Sequence, residues 1–220
     1  MKNIIIFALC AFALVQSVSA QEKNNDKVYT TFGGNGGILS FSDVKDNGTK
    51  VNNIPRFTFF FNIGTNYNYD VSDHFGFFSG TNIKNIGMIT EVGDTKLKRR
   101  VYTLGVPVGF KVGNVKDGIM LFGGAEVDLA FNYKEKTFVN DDKKSKFNEW
   151  FSDRTQTLMP SVFAGFQFSE HFSIKGQYYL NNFFNQDYSS NGVKPYQNLD
   201  AKLFFVTLGY NFSRKDFAKK

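Results

Sequence analysis

The stretch Arg56-Phe57-Thr58-Phe59-Phe60-Phe61-Asn62-Ile63-Gly64-Thr65-Asn66-Tyr67-Asn68-Tyr69 decides the fold. Successive side chains of a strand point to opposite faces. Phe57, Phe59, Phe61, Ile63, Thr65, Tyr67 and Tyr69 therefore share one face, and Arg56, Thr58, Phe60, Asn62, Gly64, Asn66 and Asn68 share the other. One face is aromatic and apolar; the other is small and polar. In a soluble sheet the apolar face needs a covering layer. In a barrel that crosses a membrane it meets lipid, and the polar face lines the lumen.

Working outward, the same alternation predicts eight strands, near 28–42, 55–69, 75–90, 99–112, 118–133, 155–168, 171–184 and 201–212. In the fourth, Tyr102, Leu104, Val106, Val108, Phe110 and Val112 alternate with Thr103, Gly105, Pro107, Gly109 and Lys111. Pro107 lacks a ladder donor, so a bulge or bend is expected there. In the eighth, Phe204, Val206, Leu208, Tyr210 and Phe212 alternate with Phe205, Thr207, Gly209 and Asn211. The first carries the least pattern, because Gly33-Gly34-Asn35-Gly36-Gly37 interrupts it. Short connections (70–74, 113–117, 169–170) alternate with longer, mostly polar ones (43–54, 91–98, 134–154, 185–200). Antiparallel strands place connections alternately at two ends, so loop length is sorted by end. The expected fold is all-β: an eight-stranded antiparallel up-and-down transmembrane β-barrel over residues 21–212, with tight turns and both termini on the periplasmic side and longer loops outside.

The ends fit export. Lys2, the apolar run Ile4 to Val15 and Val18-Ser19-Ala20 read as a signal peptide, residues 1–20, cleaved after Ala20. The apolar run is short for a membrane helix. Cys10 is the single cysteine and lies within this leader, so the mature chain is expected to form no disulfide and to use no thiol chemistry. Residues 213–220 read as a short basic tail. Aromatic residues make up 17% of the chain, with 27 Phe and 10 Tyr, and the 20 Gly against 4 Pro suit many bent strands. Mean hydropathy is only −0.28, which alternating barrel strands produce by cancellation. The formal net charge is +6. The basic residues sit mainly in the proposed loops and tail, not in one stripe. They read as solvated loops or contacts with anionic lipid head groups, and nucleic acid is not an expected partner.

Val71-Ser72-Asp73-His74-Phe75 is echoed by Phe168-Ser169-Glu170-His171-Phe172, one turn solution used twice. With the leader, the eight-strand pattern, these turns and Tyr102-Thr103-Leu104-Gly105-Val106-Pro107-Val108-Gly109-Phe110, the chain resembles the small outer membrane β-barrel proteins of the Gram-negative envelope. Its layout is similar to the transmembrane domain of outer membrane protein A, and the strand around Pro107 to the PorT-like barrel group. The resemblance covers roughly residues 28–212 and implies an outer membrane location. Such barrels often end on the last aromatic of the final strand; here Phe212 is followed by eight further residues.

Glu126 and Asp128 share one face of the fifth strand. Two carboxylates on one face suit acid–base catalysis. In a narrow lumen they are also what pairing with inward cations requires, and Arg56, Lys111 and Lys175 point inward by the same parity. Structural pairing is the expectation. His74 and His171, the only histidines, fall at the predicted periplasmic turns, away from each other and from the loops where an enzyme acting on lipid would need them. The glycine runs near residue 33 lack the Lys and the helix of a phosphate loop. Loop 134–154 carries Lys144 near its tip and Trp150-Phe151 at its end. These are candidate exposed contacts, either an aromatic-anchored binding site or a solvated loop with aromatics resting on the barrel rim. Asn47-Gly48-Thr49 matches a glycosylation acceptor, a weak signal in such a protein.

The function expected is a non-enzymatic outer membrane barrel, without cofactor or metal, whose lumen is filled by side chains. Its role would be structural, in envelope integrity, or in binding an envelope or secretion-machinery partner, with outer membrane lipid around it. A small pore, a lipid-modifying enzyme and a secreted barrel holding an apolar ligand are the alternatives.

Overall fold

The computed structural model describes residues 27–59 and 62–213. Residues 1–26, which include the expected leader, the stretch beyond Ser213 with the expected basic tail, and the Phe60-Phe61 pair lie outside the described residues. Twelve strands follow in order: β1 (Val28–Asp46), β2 (Thr49–Lys50), β3 (Asn52–Ile54), β4 (Arg56–Thr58), β5 (Asn62–Ser72), β6 (Phe75–Val92), β7 (Thr95–Asn114), β8 (Ile119–Val139), β9 (Asp142–Trp150), β10 (Leu158–Phe168), β11 (Phe172–Tyr179) and β12 (Leu199–Ser213). The sheet runs β10-β11-β12-β1-β5-β6-β7-β8, and β8 pairs back onto β10, which closes the ring. β4 extends the β5 stave by pairing with β1 through Thr58 and Ile38, Phe57 and Leu39, and Arg56 and Ser40. The result is an eight-stave, antiparallel, up-and-down β-barrel. Closure leaves these staves without an open edge.

The alternation holds where it was clearest. On β7 the even-numbered residues from Tyr102 to Val112 face out, half-buried or exposed, and Thr103, Gly105, Pro107, Gly109 and Lys111 are buried inside. Along β4, the residue that follows it and β5, Phe57, Phe59, Ile63 and Tyr69 are exposed, whereas Thr58, Asn62 and Asn68 are buried. Pro107 makes no bulge. The β6–β7 ladder lapses between Ser79–Val108 and Asn82–Gly105, then resumes in the same register. The Ser79 hydroxyl donates to the Pro107 carbonyl at 2.9 Å, on the partner strand where a ladder donor is missing.

The weak pattern of the first strand has a structural cause. Gly34 pairs with Tyr210 and Gly37 with Leu208, so β1 spends one extra residue against β12. A bulge of this kind reverses parity. Before it, Val28, Thr30 and Phe32 face out; after it, Leu39 and Phe41 do. A second register shift, between Tyr102/Thr103 and Asn132/Ala130, leaves Phe131 unpaired in the ladder.

Three tight turns lie at one end. Ser72 pairs with Phe75, Asn114 with Ile119, and β10 and β11 are joined through Ser169 to His171. The other end departs from the expected polar loops. β6 and β7 stay paired to Val92–Thr95, and β8 and β9 to Val139–Asp142, so two-residue turns replace most of segments 91–98 and 134–154. Asn47-Gly48 (φ 48° and 77°), Asn140-Asp141 (50° and 62°) and Asn191-Gly192 (52° and 79°) have both central residues at positive φ. That is the type I′ geometry whose twist matches paired strands. Polarity outside the band of apolar side chains does not stop pairing, because ladder bonds need only backbone.

The segment expected to finish the seventh strand and form the last long loop behaves differently again. β11 ends at Tyr179, and residues 180–198 fold back over the mouth. Phe183, Phe184 and Tyr196 are buried there against Val44, Ile86, Met88, Val101, Tyr133, Leu203 and Phe205. Phe184 stacks on Tyr196 at 4.7 Å between ring centroids and meets Phe183 edge-on at 4.9 Å. The barrel's apolar core is this cap and the upper lumen beneath it.

Candidate functional site

The lumen is filled in layers set by strand parity. At the tight-turn end, β7 directs Lys111 inward. Its ammonium donates to Asp70 Oδ1 (2.6 Å), the Tyr29 hydroxyl (2.8 Å) and Asn68 Oδ1 (3.2 Å), and lies 4.8 Å from the Tyr29 ring. Above it, Phe78, Phe122 and Phe163 form an aromatic trio with centroids 6.0–6.5 Å apart. The Lys175 ammonium sits 5.4 Å from the Phe163 ring.

The charged layer comes next. β8 places Glu126 and Asp128 two residues apart on the inner face, and β6 places Lys84 between them. Lys84 Nζ lies 2.8 Å from Glu126 Oε1 and 2.9 Å from Asp128 Oδ2. Glu126 also accepts from Asn82 Nδ2 at 2.6 Å and Gln177 Nε2 at 3.0 Å. Asp128 also accepts from the hydroxyls of Tyr179 at 2.6 Å and Thr103 at 2.9 Å. The three charged side chains are at most 1% exposed. Gly105 makes the space: a Cβ there would fall 2.6 Å from Asp128 Oδ1 and closer still to Glu126 Oε1. Glu126 takes its three donors from β6 and β11, and Asp128 its three from β6, β7 and β11, so the layer ties separated staves together. Its acceptor sites are occupied from within, which leaves no free carboxylate oxygen poised as a base.

The inward cations named from the sequence thus divide. Lys111 pairs with Asp70, one layer below the trio, because its two-residue offsets along β7 carry it well away from Glu126. Lys175 shares the lumen with the carboxylates, and among the described residues it has no carboxylate within 4 Å. Arg56 lies just beyond the charged layer on the capped side, donating to the Asn85 carbonyl (3.2 Å) and Asn85 Oδ1 (2.5 Å). The central cation is Lys84, which the sequence reading does not single out. Parity could have found it: Ile83 faces out, so Lys84 faces in with Asn82.

His74 and His171 occupy equivalent turns. The His74 backbone N–H donates to the Ser72 hydroxyl at 3.3 Å, and its Nδ1 lies 3.2 Å from the Gly113 carbonyl. For His171 the corresponding contacts are the Ser169 hydroxyl at 3.3 Å and the Asn211 carbonyl at 3.0 Å. Each ring staples its turn to the neighbouring stave. Among the described residues, no group of three His, Cys, Asp or Glu side chains is placed to hold a metal.

At the capped end, Arg99 pairs with Glu135 at 2.9 Å and lies 5.2 Å from the Phe184 ring. Arg154 sits 4.6 Å from the Phe147 ring and 4.8 Å from that of Tyr188, and donates to the Tyr196 hydroxyl at 3.2 Å. These two arginines clamp the cap to β7, β8 and β9. Lys144 stands near the β8–β9 turn, 3.5 Å from Asp142. Trp150 stacks on Phe131 at 5.9 Å on the outer surface, and Phe151 follows it, exposed.

No protein-family model and no curated protein matches the chain. Among solved structures it is similar to Ail, the attachment invasion locus protein of Yersinia pestis, with 13% identity, a TM-score of 0.38, and 84% of this chain and 97% of that one covered. It is also similar to Neisserial surface protein A (12%, TM-score 0.39, 86% and 100% covered) and to the outer membrane protein OprG of Pseudomonas aeruginosa (14%, TM-score 0.34, 84% and 96% covered).

Proposed function

We propose that the protein is a non-enzymatic β-barrel of the outer membrane, closed to diffusion, with a structural or partner-binding role in the envelope. The observation that carries this reading is the belt of apolar side chains around the outside of a closed ring. Phe57, Phe77, Val108, Leu121, Val162, Ile174 and Leu208, one from each of seven staves, are all more than 40% exposed, and among the described residues nothing covers them. A water-facing surface of this extent far exceeds the apolar patches of soluble monomers. At ~3.4 Å per residue and a strand tilt of about 40°, the stretch from Tyr102 to Val112 rises about 26 Å, close to the ~25 Å apolar band of outer membrane barrels.

The filled lumen speaks for a plug over a pore. The ion-paired layer and the aromatic cap each cross the interior. The saturation of Glu126 and Asp128 and the stapling role of both histidines favour architecture over catalysis. The tight turns, the start of β1 and the end of β12 share one end, which this reading assigns to the periplasm; the capped end and its hairpins then face outside. The test is fractionation with a gel. Folded protein should stay with detergent-extracted outer membranes and shift in mobility only after boiling. A soluble, unshifted species would overturn the reading.

A further inference from the structure

The staves β7, β8 and β9 continue beyond the apolar band, and their outer face changes character within one pleat. Tyr102, Phe131 and Trp150 form an aromatic row, with centroids 6.3 and 5.9 Å apart. Directly beyond it, Arg100 pairs across the ladder with Lys134, and Lys134 with Asn148. One pleat further, Lys98 is opposite Lys136, and Lys136 is opposite Lys146. Like charges directly opposite each other destabilise a sheet.

The nearby carboxylates do not relieve this. Glu135 turns inward to Arg99, and Glu149 is engaged by Arg154 at 3.5 Å. Asp141 and Asp142 are taken by Lys96 and Lys144. Among the described residues, none of the five cations has a carboxylate within 4 Å; Lys98 and Lys134 instead lie 4.8 and 4.7 Å from the rings of Phe138 and Tyr102. Partial burial, then repulsion from Arg100, Lys143, Lys146 and Lys98, holds the Lys136 ammonium below the usual lysine range. A sheet face that concentrates unpaired cations is complementary to a multivalent anion.

Its position selects the anion. The aromatic row marks the edge of the hydrocarbon, where Trp and Tyr concentrate. Below it the same outer face is apolar, through Leu104, Val106 and Val108 on β7 and Leu129 and Val127 on β8. The two cation rows stand one and two pleats above that edge, roughly 7 and 14 Å along the strands. An amphiphile whose chains lie on the apolar stripe would carry its head group to this height. We propose that the outer face of β7–β9 binds a phosphate-bearing lipid of the outer leaflet, with Arg100, Lys134, Lys98, Lys136 and Lys146 on the phosphates and Tyr102, Phe131 and Trp150 at the base of the head group. This rests on the membrane-spanning reading above.

The test uses the full mature chain reconstituted in neutral phosphatidylcholine vesicles. Flotation and heat-dependent mobility are scored first; failure there overturns the membrane reading itself. Floating protein is then given a doubly phosphorylated glycolipid or its dephosphorylated form, and retained lipid is counted by native mass spectrometry. Wild type should retain at least tenfold more of the phosphorylated form, since each Lys or Arg near an anionic surface contributes roughly fivefold. Combining R100Q, K134Q, K98Q, K136Q and K146Q should abolish the preference, and K136Q with K146Q alone should reduce it. K45Q with K202Q, on the far side of the ring, should leave it intact. Equal retention of both lipids by wild type, or undiminished preference in the five-fold variant, overturns the proposal. Displacement of bound glycolipid by soluble inorganic polyphosphate at equal phosphate concentration would also overturn it, by naming a soluble polyanion as the occupant.

Discussion

Two of the lysines that point into the lumen are met in opposite ways. Lys84 is held between two carboxylates in the middle of the barrel, with all three side chains at most 1% exposed. Lys111 meets one carboxylate near the tight-turn mouth, where the Asp70 side chain keeps 20% of its surface. Both ammoniums make three or more polar contacts, so hydrogen-bond number does not separate them. The difference is how far the partner carboxylates are from water. Removing a cation from a fully buried cluster strands charge that water cannot reach; near the mouth, water fills the gap. The middle of the barrel should therefore be the stability-critical region and the mouth a tolerant one.

The largest effect is expected from Lys84→Met. It leaves Glu126 and Asp128 side by side without their cation, and should cost about 3–5 kcal/mol in urea unfolding of the reconstituted barrel. Combining it with Glu126→Gln and Asp128→Asn should recover much of that loss. If the triple variant is no better than the single one, the cost comes from packing and the charge argument breaks. Gly105→Ala should cost less, about 1–3 kcal/mol, because the added methyl pushes on Asp128 and Glu126 without removing a charge. Glu126→Gln belongs in the same range, since the amide still accepts from Asn82 and Asp128 keeps Lys84. Both should leave membrane location unchanged, whereas loss of an unsuspected activity without loss of stability would revive an acid–base role.

Lys111→Met should cost only about 1–2 kcal/mol, because the stranded Asp70 can hydrate. A cost equal to that of Lys84→Met would erase the contrast between middle and mouth. Lys96, 26% exposed, and Asp141, 87% exposed, extend the series to the surface at the β6–β7 and β8–β9 turns, 2.9 Å apart. The hydrogen bond from Lys96 lowers the Asp141 pKa, and the same bond raises that of Lys96. A depressed carboxylate contributes above its unfolded value, about 3.9, and that contribution is lost as pH falls through the folded value. The lysine's contribution is complete below about 10.4 and fades as pH rises past it. The protection of the Asn140 amide, its exchange rate relative to the unstructured rate at the same pH, should therefore fall below pH ~4 and in high salt, with the global unfolding midpoint unmoved. A shift of that midpoint would show the hairpins to be part of the barrel's cooperative unit.

Much of this was legible in the chain. Parity on β7 and β12 is written in strict alternation, and two of the three short turns are written in Ser-Asp/Glu-His-Phe. Three features were hidden for physical reasons. The Gly34–Gly37 bulge reverses parity, so the stretch before it and the stretch after it cancel in any single-period reading. Asn-Gly at 47–48 and 191–192 is a hairpin signal, but the residues around both are polar, and polarity reads as loop even where strands remain paired. The cap is concealed because Phe183, Phe184 and Tyr196 are isolated by Asn, Gln and Ser; they become a core only when the barrel mouth is present to receive them. Glu126 and Asp128 were visible as a pair, but their partner was not. Lys84 lies 42 residues from Glu126, and only the ring closure of staves makes them neighbours.

The central claim is that the outer face of the ring meets lipid while the inner face is packed. It is tested most directly by placing single cysteines, each carrying a nitroxide, from Tyr102 to Val112, the tightly packed Gly105 and Gly109 excepted, in the reconstituted protein and measuring collision with oxygen and with a water-soluble nickel chelate. The account predicts a strict period of two: high oxygen access at 104, 106, 108 and 110, low access to both reagents at 103 and 107, and nickel access nowhere between. Nickel access at the even positions equal to that of oxygen would place this face in water and contradict it.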